Sequence, residues 1–316
     1  MMEKIKSLMI IGQTCSGKEN LSFALAEHFN TDIISMDSMK IYVGMDIGTA
    51  KANYEKRQKV KHHLVDIISP DKNYNVNEYI RDAIPIARRL SQENRLPLFS
   101  GGTSLYAKAL FSGLFSLPEI TSEIKQKIET EYDLNPEKVY EKLKLVDPNA
   151  CKKIHMNDRQ RVTRALEVFE VTNKPISSLQ NQFETTSDVF DFVAIGLRWP
   201  REILHQRIAQ RVHWMVEAGL ENEAKKIFEK FDKLGVSSSK AVGYQEWVPY
   251  FKGQCTREDT IERIIINTRQ LCKHQMTWMK KFPIQWIDLE LTTTPLEIFN
   301  RTIEILKHST LKSYLS

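Results

Sequence analysis

The feature that most constrains this chain is a heptapeptide near its start, Gly12-Gln13-Thr14-Cys15-Ser16-Gly17-Lys18. It follows a compact apolar run, Ser7–Ile11, and precedes a helical pattern from Glu19 to Phe29. Strand, glycine loop and helix form the setting in which G-x-x-x-x-G-K holds phosphate. Glycines let the backbone turn tightly and bring its N–H groups against an anion. The start of the following helix adds partial positive charge, and Lys18 adds a full one. Such a unit calls for a diphosphate or triphosphate. It leaves open which one, and what the other substrate is.

One position breaks the motif. Ser or Thr should follow the lysine, its hydroxyl ligating Mg2+, and here the residue is Glu19. A carboxylate in the first turn suits the helix dipole and can itself bind Mg2+. It also sets negative charge beside a site for an anion, so either the metal is held differently or the site is weakened. Cys15 reads as a small space-filler in the loop, although a thiol at a helix start can have a lowered pKa.

Short apolar runs recur at Asp32–Ser35, Leu64–Ile68, Leu96–Phe99, Phe192–Leu197 and Ile284–Ile287. Helical stretches lie at Val76–Gln92, Arg201–Ala218 and Glu258–Lys280. This alternation predicts an α/β fold, a P-loop NTPase-like doubly wound parallel sheet covered on both faces. From Pro118 to about Gln182 the chain is rich in Lys and Glu, with helical periodicity and no convincing strand. The expected organisation is a core in two parts, 1–117 and 189–316, interrupted by a helical domain over 118–188. At 316 residues, 41% hydrophobic and 27% charged, the chain has ordinary globular composition and length for two domains. A net charge of +5 permits an anionic partner such as RNA without demanding one. Cys15, Cys151, Cys255 and Cys272 are scattered without a C-x-x-C pair, which argues against a zinc site or disulfide framework. The apolar start is too short for a membrane span. A cytoplasmic protein with no membrane partner is expected.

Asp37 follows the second apolar run, where loops at the carboxyl ends of strands surround a ligand. A carboxylate there can be a general base or metal ligand, or only a turn or cap residue. Thr103 follows Gly101-Gly102 after another strand, which places it at the ligand edge of the sheet or in a plain βα turn. Arg159, Arg161 and Arg164 lie in a helical segment with Lys152 and Lys153, some on one face. Trp214, Trp247 and Trp278, at helical spacing among apolar residues, read as core packing.

Ordered segments extend the pattern along the chain. They are Asp37-Ser38-Met39, Ile41–Lys51, His62–Ile67, Gly101–Tyr106, Asn157–Arg161 and Arg164–Val168. Arg207, Arg211, Met215, Gly219-Leu220, Glu223, Ala241–Tyr244, Thr268–Leu271, Lys273, Gln275 and Thr277-Trp278 follow. From about Ile10 to Trp278 the chain resembles the tRNA dimethylallyltransferase family. Glu19, Lys40, His274 and Gln245 depart from what that family commonly carries.

The resemblance implies transfer of a prenyl group from dimethylallyl diphosphate to N6 of an adenosine beside a tRNA anticodon, with Mg2+ as cofactor. Gly12, Gln13, Thr14, Cys15, Ser16, Gly17, Lys18 and Glu19 would hold the diphosphate. Asp37 would act as base, with Thr103 and Arg211 in the catalytic set. Asp37, Ser38, Met39, Lys40, Thr103, Lys125, Gln160, Arg161, Val162, Thr163 and Arg164 would meet tRNA, the last six from the helical insertion. A monomer is expected. Two other readings compete: a P-loop kinase of small molecules, and a tRNA-binding paralogue without transfer, which Glu19 favours.

Overall fold

The structure, a computed structural model, describes residues 3–113, 120–180 and 188–315. Its sheet is built from β1 (Ile5–Gly12), β2 (Ile33–Met36), β3 (His62–His63), β4 (Leu98–Gly101), β5 (Phe190–Arg198) and β6 (Ile284–Asp288). Across the sheet they run β3-β2-β4-β1-β5-β6, every pair parallel. Helices α1 (Lys18–His28), α2 (Tyr54–Lys59), α3 (Val76–Gln92) and α4 (Ser104–Ser112) alternate with the first four strands. Then come α5 (Ser122–Leu134), α6 (Pro136–Val146), α7 (Pro148–Cys151), α8 (Arg159–Thr172) and α9 (Ile176–Gln180). Between β5 and β6 lie α10 (Arg201–Glu217), α11 (Leu220–Lys230), α12 (Trp247–Phe251) and α13 (Arg257–Met279), and α14 (Pro295–Lys307) follows β6.

β1 sits in the middle because its side chains are apolar on both faces. Met9 and Ile11 join one core, with residues of α3, α10 and α13 such as Tyr79, Ile208 and Cys272. Leu8 and Ile10 join a second core on the other face, with Leu21 and Leu25 of α1 and Leu306 of α14. All four β1 residues are fully buried. A strand dry on both faces is the signature of a parallel sheet layered between helices. α3, α13 and α14 each start with a reciprocal cap between side chain and backbone, by Asn75/Glu78, Thr256/Asp259 and Thr294/Glu297.

Two compact units divide the chain, Met1–Phe111 with Ser187–Ser316, and Ser112–Thr186. The boundary expected at 117/118, and Gln182, lie outside the described residues. The second unit holds α5 to α9 around Ile128, Tyr132, Val139, Leu143, Val162, Ala165 and Leu166. Its buried Asp147 accepts hydrogen bonds from Ala150 N, Ser177 N and Ser177 Oγ, tying α7 to α9.

The apolar run Leu64–Ile68 is not the strand its composition suggests. Only His62 and His63 pair with β2. Leu64 and Asp66 take left-handed backbone, φ 59° and 56°, which breaks extended pairing. The segment instead lies along residues 40–41, with Asp66 N donating to Lys40 O and Ile67 N to Ile41 O.

At the carboxyl edge β2 and β4 meet closely. A Cβ on Gly101 would stand 2.0 Å from Met36 O. Gly101→Ala is therefore expected to destabilise the fold by about 3 kcal/mol, the upper range for overpacking. Chemical denaturation reads this as a lowered midpoint, and an unchanged midpoint would mean the two strands part there freely.

Candidate active site

The loop after β1 has the geometry that phosphate binding requires. Cys15 and Gly17 adopt left-handed backbone, φ 66° and 94°, so that successive amides curl into a concave nest. The N–H groups of Cys15, Gly17 and Lys18 take no hydrogen bond among the described residues. The carbonyls, by contrast, are engaged from outside. Arg207 Nε donates to Cys15 O at 3.1 Å, and Trp199 Nε1 donates to Ser16 O at 2.9 Å. The Arg207 guanidinium also lies over the Trp199 ring, 4.5 Å from its centroid. Ser16 Oγ is buried and has no hydrogen-bond partner among the described residues.

α13 braces the other side of the loop. Gln275 Oε1 accepts from Thr14 N at 2.9 Å, and Gln275 Nε2 donates to Gly102 O at 3.1 Å. Gln13 Nε2 donates to Cys272 O at 3.0 Å. One glutamine thus joins the ends of β1 and β4. Gln275 and Arg207 stand at the spacing of the family resemblance, yet a sequence assigns neither a role. Each makes its shorter hydrogen bonds to backbone atoms, which no side-chain pattern records.

The loop opens on a cleft of about 640 Å3. Lys18, Lys51, Lys56, Arg207 and Arg211 line it, with Glu19 the only carboxylate in the lining. Burial lowers the Lys18 pKa, and Glu19 opposes that shift. Lys51 reaches the wall from a loop shaped by Glu223, whose carboxylate accepts from the N–H groups of Asp46, Ile47 and Gly48 and from Tyr244 Oη. Lys51 Nζ in turn donates to Tyr42 O and to Asp46 and Asp66. Trp214 stands in the cleft wall and is 58% exposed, so it is not core. It lies off the α10 stripe of Leu204, Ile208, Val212 and Met215. Trp278 is also partly exposed, flanked by Lys281, while Trp247 is fully buried.

The neighbouring strand ends bring Asp37 and Thr103 together. Thr103 N donates to Met36 O at 3.2 Å, and Thr103 Oγ1 accepts from Ser38 N at 3.0 Å. Asp37 Oδ1 accepts from Met39 N at 2.9 Å, closing the turn, while Oδ2 takes no hydrogen bond among the described residues. Asp37 is half-buried and close enough to Lys18 to act on its charge. The turn and base readings of Asp37 are thus compatible, since each uses a different oxygen.

Glu19 is not a bare charge. Lys40 Nζ donates to Glu19 Oε1, and the Lys40 side chain is buried while that of Glu19 is partly exposed. Burial would raise the Glu19 pKa, but Lys40, then Lys18, overcome it and hold the carboxyl at about 2. The donor set does not fit the usual Mg2+ position, because the side chain after Lys18 is a carboxylate already bound by an ammonium. Among the described residues no group of three or more His, Cys, Asp or Glu could hold a metal ion.

In the helical unit Gln160, Arg161 and Arg164 share one face of α8. Gln160 and Arg161 are exposed and Arg164 half-buried. Arg161 pairs with Asp158, and Arg164 with the buried Glu167. Arg159 is held by Asp133 in a two-pronged pair. The side chains of Val162 and Thr163 are buried and do not reach that face. Lys125 is exposed on α5. No helix among the described residues is long and apolar enough to cross a membrane.

Residues 40–282 match the family model described as IPP transferase. The chain is 38% identical over 288 residues to tRNA dimethylallyltransferase 2 of Geotalea uraniireducens, covering 90% of this chain and 93% of that one. It is 40% identical over 290 residues to the tRNA dimethylallyltransferase of Dictyoglomus turgidum, covering 90% and 88%. Among solved structures, the tRNA delta(2)-isopentenylpyrophosphate transferase of Staphylococcus epidermidis superposes with a TM-score of 0.71 at 33% identity, over 97% of this chain and all of that one. A eukaryotic dimethylallyltransferase acting on tRNA gives 0.83 at 28% identity, over 95% of this chain and 78% of that one. By the match to the family model and these identities, this chain belongs to the IPP transferase family.

Proposed function

We propose that this protein transfers a dimethylallyl group from dimethylallyl diphosphate to N6 of an adenosine on the 3′ side of a tRNA anticodon. The observation that carries the reading is the nest of unpartnered amides beside Lys18, next to a strand end that presents the spare oxygen of Asp37. Family membership supports prenyl transfer rather than phosphorylation, and the named relatives support tRNA as acceptor.

In this reading the amides of Cys15, Gly17 and Lys18, the Ser16 hydroxyl, Lys18 and Arg211 face the diphosphate. The adenine N6 attacks C1 of the prenyl chain. The C1–O bond breaks, its electrons leave with the diphosphate, and the N6 proton passes to Asp37 Oδ2. Charge grows on the departing oxygen, where fixed cations and dipoles stabilise it most. Thr103 positions the base by fixing Ser38 N. The base to be modified must leave its stack in the anticodon loop to reach Asp37. The exposed α8 face of Gln160, Arg161 and Arg164, with Lys125, would meet RNA phosphates. The alternative of a paralogue that binds tRNA without transfer drew its support from Glu19. With Lys40 on that carboxylate, the uncompensated charge behind it is gone.

Purified protein should place radiolabelled prenyl groups on tRNA whose loop carries consecutive adenosines. Label on free adenine nucleotides and none on tRNA would refute the acceptor. Asp37→Ala should lower single-turnover transfer by ~10²–10⁴-fold, the usual share of a general base, while tRNA affinity changes far less. An unchanged rate would reduce Asp37 to its turn. Arg161→Ala should weaken tRNA binding and lessen the slope of log affinity against log salt by about one. Weaker binding with the slope intact would point to a folding effect.

A further inference from the structure

The loop of this protein contains its own contradiction, a carboxylate where an anion is to bind, and the fold supplies its own answer 21 positions along the chain. Lys40 follows the turn that begins at Asp37, and it is buried. Its ammonium reaches back to the first turn of α1 and donates to Glu19. Lys40 also acts on the charge of Lys18, so it belongs to the same electrostatic cluster as the loop lysine and Arg211. Beside Glu19 and Lys40 is a cavity of about 20 Å3, lined by Ser22, Ser35, Ser100 and Arg57 and also by Ile33 and Val65. That is room for about one water, while Glu19 also lines the 640 Å3 cleft.

Charge bookkeeping defines what the pair does. A hydroxyl after Lys18 with a neutral residue at 40 contributes no net charge. Glu19 with Lys40 contributes none either, but Glu19 alone would contribute one negative charge at the edge of the diphosphate site. The hydroxyl arrangement offers Mg2+ a ligand, whereas the pair satisfies its carboxylate internally.

We infer that Lys40 is a permanent counter-cation at the phosphate site: it cancels Glu19 and occupies the carboxylate that stands where a Mg2+ ligand would follow the loop lysine. The inference rests on the cleft being a diphosphate site, as proposed above. Its consequence is that diphosphate binding depends weakly on Mg2+ in the natural protein, and that the dependence is written into positions 19 and 40 together. This also reverses the simplest expectation for the loop, that Glu19→Thr by itself would repair a faulty motif.

Calorimetric titration of the full chain with inorganic diphosphate, in EDTA and in Mg2+, tests this. The natural protein should bind in EDTA and gain less than about threefold from Mg2+. Lys40→Gln should lose ~10–100-fold in EDTA, the range set by an uncompensated charge near the ligand, and recover most of it in Mg2+, which can then use Glu19. Lys40→Arg should behave as the natural protein. The double variant Glu19→Thr/Lys40→Gln, neutral like the natural pair, should bind in EDTA within about threefold of it and gain at least tenfold from Mg2+ through the new hydroxyl. Neither the natural protein nor the double variant leaves a carboxylate buried and unpaired, so the comparison does not depend on Lys40→Gln folding. A natural protein that loses its affinity in EDTA as fully as the double variant overturns the role of Lys40 and leaves the diphosphate site standing. No binding of diphosphate under either condition overturns both.

Discussion

The site depends on which way a few peptide groups point. Cys15 and Gly17 turn the backbone left-handed, and three amides are left without partners. These amides line the cleft, where an anion can take them. The arrangement persists because the opposite faces of the same peptides are held. Arg207 and Trp199 take the carbonyls, and Gln275 ties the loop to Gly102. Helices late in the chain therefore fix a loop at its beginning, and the central position of β1 brings these parts together.

Charge is arranged on the same plan. Five cations line the cleft against one carboxylate, and that carboxylate already carries a lysine. Lys51 is locked on Asp46 and Asp66, and Glu223 holds the backbone that carries it by accepting three consecutive N–H groups. Lys51 is thus positioned by acidic groups, while Arg207 is held by a backbone carbonyl and the Trp199 ring.

The strand, loop and helix from Ile5 to His28 were legible because periodicity, glycine spacing and the loop lysine are all local signals. The long helices α3, α10 and α13 were legible for the same reason, and so was the layered parallel sheet. Leu64–Ile68 misled because its composition is strand-like, while two left-handed residues, invisible to hydropathy, turn it aside. Trp214 misled because helical spacing among apolar neighbours does not say which side of α10 a residue occupies. The proximity of Asp37 and Thr103 follows from the sheet order, and a sequence could place each only at some strand end. Glu19 stood out as a departure and Lys40 as another, but that the two departures answer each other is a fact of tertiary packing.

A crystal structure of the protein soaked with inorganic diphosphate tests the central claim most directly. One phosphate should lie within hydrogen-bond distance of the N–H groups of Cys15, Gly17 and Lys18 and of Lys18 Nζ, with Glu19 still bound to Lys40. Diphosphate seated elsewhere in the cleft, with those amides turned away from it, would contradict the account.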